Sequence, residues 1–376
     1  MFGKTVTLFR VFGFEIKIDW SWLILGALIV WSLAKGLFPA WYKGIDPAAY
    51  WVMGVAGALG LFFSIVFHEL WHSLIARRYG VHMRGITLFL FGGVAEMGEE
   101  PESPKAEFFL AVAGPISSIV LAGVLLGLSY LLAGSGPMTP VTGVLNYLGY
   151  LNFVLAGFNL IPAFPLDGGR VLRAVLWGTW NDLRRATRVA SSVGAGLGAA
   201  LMALGALQFF LGRSVGGLWT LIIGMFVRGA ARSSYQQLLF RRALEGVPVR
   251  KFMAAEPVTL GPSTSVEKLV EDYIYKYHHK MYPVVEGEKL VGCVTLDQVK
   301  ELGRGEWASH SVGELARGCS PENTIGPDED VMKALALMQR TGRSRLIVAE
   351  GGKLAGVIAL KDIMGYIALK LDLEEE

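Results

Sequence analysis

The fold of this chain is decided by the stretch FHELWH, residues 67–72, which lies inside an apolar run long enough to cross a lipid bilayer. Histidines four residues apart lie on one face of a helix, so His68 and His72 can both reach one metal ion, while Glu69 can hold the attacking water. A charged residue near the centre of a bilayer costs about 2.5–3.5 kcal/mol, so such a cluster needs a reason to be there. The spacing and its context favour a zinc hydrolase site over a structural pair of histidines.

The composition is that of a membrane protein with a soluble part. The 376 residues are 53% hydrophobic and only 18% charged, with a mean hydropathy of +0.45, which is too apolar for an ordinary soluble enzyme. The net charge of +3 is small, and the Lys and Arg residues fall at the ends of apolar segments instead of forming one patch. A nucleic-acid partner is therefore not expected.

Apolar runs predict a polytopic α-helical membrane protein with about six transmembrane helices. They lie near residues 20–35, 51–76, 108–133, 145–164, 190–211 and 216–231. Alternating apolar and polar residues over 5–18 predict a strand pair, a small membrane-associated β element. Because the basic residues are concentrated on one side of these runs, we expect a multi-pass cell-membrane protein with both termini and the soluble part in the cytoplasm.

From about residue 246 the composition becomes ordinary and soluble, and the sequence repeats with a period of about 64 residues. Gly261-Pro262 recurs as Gly326-Pro327, and each copy predicts helix, strand, turn, strand, helix. The repeat resembles a tandem pair of CBS domains. That resemblance implies an α/β module that commonly binds adenine nucleotides, ATP or AMP, between its copies.

The CBS resemblance also implies a nucleotide signature, Gly-x-apolar-Ser/Thr-x-x-Asp, which this sequence keeps only in part. The first copy has Thr295 but Gln298 where Asp belongs, and the second has Asp362 but Ala359 where the hydroxyl belongs. Thr295 and Asp362 are therefore the candidate nucleotide contacts. The alternative is a purely structural, partner-docking or homodimerising module.

A third zinc ligand is needed, because two histidines do not hold zinc alone. Between Glu107 and Asp182 the one acid or histidine in the sequence is Asp167, and residues 183–244 contain none. Asp167 is the leading candidate, and the alternative is that it only caps the turn before the two glycines that follow it. Outside candidates are Glu96, His82 and Asp19.

The HELWH motif in the second apolar run, followed by NLIPAFPLDGGR at residues 159–170, resembles the site-2 protease family of intramembrane zinc metalloproteases. With the CBS tail, this resemblance covers nearly the whole chain. It implies one Zn²⁺ per chain held by His68, His72 and Asp167, with Glu69 as the catalytic carboxylate and a transmembrane protein as the substrate. It also favours Asn159 as the donor to the oxyanion, and an interhelical hydrogen bond is the alternative role of that residue.

The predicted parts are a transmembrane zinc protease domain at 1–235, a linker at 236–250, one CBS domain at 251–306, and a second with an acidic tail at 307–376. The predicted function is regulated intramembrane proteolysis within the lipid bilayer, with the CBS pair as a regulatory or dimerisation module. The alternative is a CBS-regulated transporter or channel in which His68, His72 and Asp167 form a cation site. That alternative does not explain why Glu69 lies between ligands at hydrolase spacing. An inert scaffold is disfavoured because every expected catalytic residue is present.

An accessory element is predicted at residues 86–95, an apolar strand that turns at two glycines and is too short to span the membrane. A protease must hold its substrate extended, because a helix buries its own peptide bonds, and a strand edge can pair with an unwound segment. The candidate substrate-binding residues are Phe91, Gly92, Gly93 and Val94. The alternative is an element that only packs.

Two further stretches are expected to be structural. Residues 113–118, AGPISS, resemble a further motif of the family, and their small residues favour close helix packing. The basic cluster from Arg184 to Arg188 is most simply a topology anchor.

Overall fold

The computed structural model describes residues 5–81, 83–89, 92–97, 101–134, 139–212 and 214–374. The chain divides into two compact units, Met1–Gln236 and Gln237–Glu376. Each unit has its own core, and the helix Ser214–Leu244 continues across the boundary between them.

The first unit is mainly helical. Its helices are α1 (Trp20–Trp41, with a π-helical turn at Leu33–Leu37), α2 (Pro47–Arg78), α3 (Pro104–Ala133), α4 (Pro140–Asn159), α5 (Asp167–Trp180), α6 (Leu183–Phe210) and α7 (Ser214–Leu244). Within the described residues, five of these are long and apolar enough to cross a membrane: α1, α2, α3, α4 and α6. The sixth predicted span, 216–231, lies in α7. This continuous helix is not among the five, and it carries Arg228 inside the predicted span and Arg232 just after it.

The starts of the long helices follow from local sequence. Proline occupies the first helical position of α2, α3 and α4, where its missing N–H is not needed. A polar side chain precedes each helix and accepts a backbone N–H, such as Ser103 before α3 and Thr139 before α4. Asp19, an outside candidate for the metal, serves α1 in this way by accepting from the Ser21 N–H at 2.9 Å.

A four-stranded sheet accompanies these helices in the order β1-β2-β3-β4. Its strands are β1 (Thr5–Val11), β2 (Phe14–Asp19), β3 (Met83–Phe89) and β4 (Gly92–Met97). The pairs β1/β2 and β3/β4 are antiparallel, as local patterns predict, and parallel pairing of β2 with β3 joins them. Ile16 of β2 is fully buried against Val66 of α2, which fastens the sheet to the helix that carries the histidines. Among the described residues β4 pairs with β3 alone, so it is an edge strand.

Glycines bring α6 and α7 into backbone contact. A methyl group on Gly198 would lie 2.6 Å from the backbone nitrogen of Arg228, and one on Gly205 would lie 2.5 Å from that of Leu221. Close approach of this kind is the usual way in which helices associate in lipid, where apolar burial alone gives no preference. The two helices therefore run antiparallel, and the start of α6 lies beside the part of α7 that follows Arg228.

The second unit contains two similar halves and one five-stranded sheet in the order β5-β6-β9-β8-β7. The first half holds α8 (Val266–Lys268, Leu269–Ile274 and Tyr275–Tyr277), β5 (Met281–Glu286), β6 (Lys289–Thr295) and α9 (Leu296–Glu301), followed by α10 (Val312–Leu315). The second half holds β7 (Thr324–Ile325), α11 (Val331–Thr341), β8 (Arg345–Glu350), β9 (Lys353–Ala359) and α12 (Leu360–Glu374). Short 3₁₀ turns occur at Val249–Lys251 and Arg304–Glu306.

The two halves repeat each other in register and in core. Both hairpins, β5/β6 and β8/β9, have an irregularity at the same place, after Val284 and after Val348. The core of the first half contains Val284 and Val294, and the core of the second contains Val348 and Ile358 at the equivalent positions. The predicted architecture, a mainly helical membrane part followed by an α/β tandem repeat, is confirmed.

Candidate metal centre

Three side chains from two helices converge at one point of the first unit. His68 and His72 lie one turn apart on α2, and Asp167 is the first residue of α5. The Nε2 atoms of the histidines are 3.2 Å apart, and each lies 3.1 Å from Asp167 Oδ2. Zinc bonds of about 2.1 Å in a tetrahedron separate the ligand atoms by about 3.4 Å. The triangle therefore has the dimensions of a zinc site.

The other nitrogen of each imidazole decides which atom faces the centre. His72 Nδ1 donates to the Leu110 carbonyl at 2.6 Å, and because a carbonyl only accepts, a neutral His72 presents the bare lone pair of Nε2. His68 Nδ1 is bonded to Ser118 Oγ at 2.9 Å. The acceptor Nε2 of His72 and a carboxylate oxygen thus face each other in a buried place, with Nε2 of His68 beside them. A cation resolves this arrangement, and the nitrogen and oxygen donors suit zinc.

Helix α3 forms one wall of the centre through Gly114. A methyl group at this position would lie 2.2 Å from His72 Nε2 and 2.5 Å from His68 Nε2. Ser118, the partner of His68, lies one turn after Gly114, and Leu110, the partner of His72, lies one turn before it. The stretch AGPISS was expected only to pack helices, and sequence reasoning missed this role. The signal that the sequence offered for this role was a glycine, Gly114, with a hydroxyl residue, Ser118, four positions later.

The segment before α5 holds Asp167 toward the histidines. The cap residue of α5 is Leu166, which makes no side-chain cap bond, so Asp167 does not serve as the turn cap considered as the alternative. A methyl group on Gly168 would lie 2.3 Å from the Leu160 carbonyl oxygen, and one on Gly169 would lie 2.3 Å from the Phe164 nitrogen. The two glycines therefore let the preceding segment fold tightly against the start of α5.

A buried ion pair joins α3 to α5. Glu107 is fully buried, the Arg173 side chain is 7% exposed, and Arg173 Nε donates to Glu107 Oε1 at 2.6 Å. The guanidinium also lies 5.2 Å from the ring centroid of Phe164. Glu107 lies one turn before Leu110, and Arg173 lies on the helix that Asp167 begins. The ion pair therefore helps to fix the position of Asp167 relative to Leu110, whose carbonyl accepts from His72.

A second buried polar contact ties α4 to the histidine helix. Asn152 Nδ2 donates to Ser64 Oγ at 2.9 Å, and both residues are at most 1% exposed. Ser64 lies one turn before His68 on α2. In an apolar environment such a hydrogen bond between helices is stabilising, so it contributes to the orientation of α2 around the centre.

Comparison with known proteins identifies the family of this chain. The family model described as peptidase family M50 matches residues 56–143 and 135–203, and the model described as the CBS domain matches 249–304 and 312–369. The Mycobacterium tuberculosis protein Rip3, named as a zinc metalloprotease, is 36% identical over 96% of this chain and 92% of its own length. The chain belongs to peptidase family M50.

Two further proteins are similar to this M50 peptidase. The zinc metalloprotease MJ0392 of Methanocaldococcus jannaschii is 30% identical over 99% of this chain and 98% of its own length. The solved site-2 protease from Methanocaldococcus jannaschii is 31% identical, covers 62% of this chain and 95% of its own, and superposes with a TM-score of 0.42. The resemblance to the site-2 protease family and to CBS domains is confirmed, and the protein is a zinc metalloprotease with a CBS pair.

The structure places the other predicted residues of the M50 peptidase as follows. Glu69 is half-buried on α2 and lies within electrostatic reach of His68, His72 and Asp167. Asn159 is the last residue of α4, and its Nδ2 donates to the Leu155 carbonyl of its own helix at 2.9 Å. Of the strand-edge residues, Gly92, Gly93 and Val94 lie in β4, and Phe91 lies outside the described residues. Glu96 also lies in β4, and His82 lies outside the described residues.

The two predicted nucleotide contacts of the M50 peptidase differ in their surroundings. Thr295 Oγ1 donates to Gln298 Oε1 at 2.8 Å, and Gln298 Nε2 donates in turn to the Leu315 carbonyl. The hydroxyl of Thr295 is therefore engaged inside the first copy. Asp362, in the first turn of α12, is exposed.

Proposed function

We propose that this M50 peptidase hydrolyses a peptide bond in or near a transmembrane segment of another membrane protein. The observation that supports this most directly is the convergence of Asp167 with His68 and His72. The two histidines belong to α2, a helix long enough to cross a bilayer. A hydrolytic centre on such a helix can act on a segment that lies in the same bilayer, and ionisable residues inside a membrane have a functional role by default.

The proposed chemistry assigns one role to each residue. His68, His72 and Asp167 would hold a zinc ion, which when bound would supply a Lewis acid for the scissile carbonyl. Glu69 accepts the proton of the attacking water and passes it to the leaving amine. Asn159 donates to the oxyanion after exchanging its bond to the Leu155 carbonyl for one to the substrate.

The test is cleavage of a membrane-embedded substrate by purified Glu69→Gln protein, with zinc content measured alongside. The proposal predicts that zinc stays and cleavage falls by at least about 10²–10⁴-fold, because only the proton acceptor is lost. Glu102→Gln, which neutralises an exposed glutamate just before α3, is the matched control and should cleave normally. Retained cleavage in Glu69→Gln would refute the mechanism. An ion flux that disappears in this variant would favour the transporter instead.

We propose that β4 holds the substrate in an extended conformation. The support is its place at the edge of the four-stranded sheet, because an edge strand offers unpaired backbone groups to a substrate strand. Val94→Pro removes one backbone N–H from β4 and should reduce cleavage without loss of zinc. Val6→Pro, in the other edge strand β1, is the control and should cleave normally. Equal cleavage by the two variants would remove this role from β4.

We propose that the CBS pair regulates the protease by binding ATP or AMP, and that it also supports a homodimer. The exposed carboxylate of Asp362 supports a nucleotide contact in the second copy, whereas the engaged hydroxyl of Thr295 argues against an equivalent contact in the first. The expected result is that AMP raises the melting temperature of the full chain. No change at millimolar AMP would leave the pair a structural or dimerising module, and sedimentation in detergent measures the dimer.

We propose a cytoplasmic location for both termini and the CBS pair. The support is the placement of basic residues at the ends of the apolar helices, such as Arg77 and Arg78 at the end of α2. A reporter fused to the C-terminus should be active only on the cytoplasmic side. An externally active reporter would reverse the proposed orientation.

A further inference from the structure

A cluster of arginines lies where α6 begins and where α7 leaves the predicted span. Arg184, Arg185 and Arg188 occupy the first two turns of α6, and Tyr235 of α7 lies beside them. The sequence from 183 to 244 contains no Asp or Glu, and none of the described ion pairs includes these three arginines. Three positive charges are therefore gathered at one place, and the neighbouring acid, Asp182 just before α6, accepts from the Arg185 backbone N–H at 3.0 Å.

The hydroxyl of Tyr235 organises two of these arginines. Arg188 Nε donates to Tyr235 Oη at 3.0 Å, and Arg184 lies beside the same hydroxyl. Burial raises the pKa of the Tyr235 phenol, but the adjacent guanidinium groups of Arg188 and Arg184 outweigh burial and lower it. Because Arg188 uses Nε for the tyrosine, the end-on pair of N–H groups on its two Nη atoms is not required for that bond. A planar fork of this kind matches the oxygens of a phosphate.

Arg184 adds a donor that needs an acceptor. Its Nε is buried and has no hydrogen-bond partner among the described residues. A buried donor without a partner is destabilising. The rest of the Arg184 guanidinium lies beside Tyr235 with that of Arg188, so an anion at this place would lie close to both positive charges.

The depth of the cluster indicates where the anion comes from. Helix α6 is long and apolar enough to cross a membrane and begins at Leu183, one residue before Arg184. The guanidinium of Arg185 lies 4.6 Å from the ring centroid of Trp180, and tryptophan is enriched at the level of lipid headgroups. The cluster thus lies at the membrane boundary, where the abundant anions are lipid phosphates.

We infer that Arg184 and Arg188, oriented by Tyr235, bind the phosphate of an anionic phospholipid headgroup at the junction of α6 and α7. Basic pockets between membrane helices on the cytoplasmic side bind anionic headgroups in this manner. The site also adjoins the centre, because Ala190 of α6 and Ala231 of α7 form a buried cluster with Phe164, in the segment that leads to Asp167. A bound lipid therefore stabilises the helix junction on which that segment rests.

The test uses the full chain in detergent. Native mass spectrometry measures how many phosphatidylglycerol molecules stay bound per chain, and phosphatidylcholine, which has no net charge, is the comparison lipid. The wild type should retain one phosphatidylglycerol in preference to phosphatidylcholine. Arg184→Gln with Arg188→Gln should weaken retention about 30-fold, at about 1 kcal/mol per arginine. Arg78→Gln with Lys105→Gln removes two exposed charges elsewhere and should retain the lipid. Tyr235→Phe, which keeps every charge, should lower retention because Arg188 loses the hydroxyl that orients it.

Three results would overturn the inference. Equal retention by the wild type and the Arg184/Arg188 variant would show that these residues hold no lipid, and an equal loss in the Arg78/Lys105 control would show only a diffuse charge effect. If inorganic phosphate raises the melting temperature of the wild type while phosphatidylglycerol does not stay bound, the ligand is a soluble phosphate and the lipid assignment fails. Should the double variant not fold, Arg188→Gln and Tyr235→Phe answer the same question separately.

Discussion

The metal centre and the first CBS copy both carry a recognisable motif, but their side chains are used in opposite ways. In the centre, His68 and His72 bond to Ser118 and Leu110 through Nδ1, so each Nε2 is left facing the other ligand atoms. In the CBS copy, the hydroxyl of Thr295 is donated to Gln298 inside the fold. A motif forms a site only when the surrounding residues occupy the atoms that do not bind the ligand and leave free the atoms that do.

The largest effect is expected from filling the space that the centre leaves open. Gly114→Ala places a methyl group 2.2 Å from His72 Nε2, far inside contact distance, so zinc content should fall from one per chain to near zero and activity should be lost. Gly123→Ala, on the same helix, meets nothing within 4 Å and is the matched control. Zinc retained at full occupancy in Gly114→Ala would show that α3 can move away from the histidines.

The next effect concerns the ion pair beside the centre and compares it with one in the other unit. Glu107→Gln leaves the Arg173 guanidinium buried without its charge partner, which should cost about 3–5 kcal/mol of unfolding free energy. Asp328→Asn breaks the exposed pair of Arg250 and Asp328 and should cost at most about 1 kcal/mol. Denaturation in detergent measures both, and a similar loss for the two variants would contradict the importance of burial.

A smaller effect should follow from removing the partner of one metal ligand. Ser118→Ala leaves His68 Nδ1 without its hydrogen bond, so the ring is less firmly oriented and zinc affinity should fall by about 10–100-fold. The control is Ser117→Ala, because the Ser117 hydroxyl donates to the Gly114 carbonyl of its own helix. Competition with a chelator of known affinity measures the change. Equal affinities for the two variants would exclude a positioning role for Ser118.

The smallest effect tests the other side of the comparison, the two CBS copies. AMP at 100 times its Kd should stabilise the wild type by about 2.7 kcal/mol. Asp362→Asn should remove the resulting increase in melting temperature. Thr295→Val should keep it, because the hydroxyl is already engaged with Gln298. Thermal melts with and without AMP decide this, and a shift lost in Thr295→Val alone would place the nucleotide in the first copy.

Local patterns predicted much of the fold. Both hairpins of the first unit, the tandem repeat and the six predicted spans correspond to elements of the structure, and five of the six helices are long and apolar enough to cross a membrane. The differences arise where an element is decided by residues far away. The fourth predicted span reached residue 164, but α4 ends at Asn159, because the segment after it folds back against Gly168 and Gly169. The parallel pairing of β2 with β3 joins distant segments and leaves no local signal.

By itself, the sequence determined the histidine pair, the candidate third ligand and the two-part organisation, because helical periodicity, scarcity of acids in apolar segments and repetition can each be read along the chain. Only the tertiary structure decided that α3 would supply Gly114, Ser118 and the Leu110 carbonyl to the centre. It also decided that Arg184 and Arg188 would meet Tyr235. Each of these contacts joins residues far apart in the chain, and their side-chain atoms come together only when the helices pack.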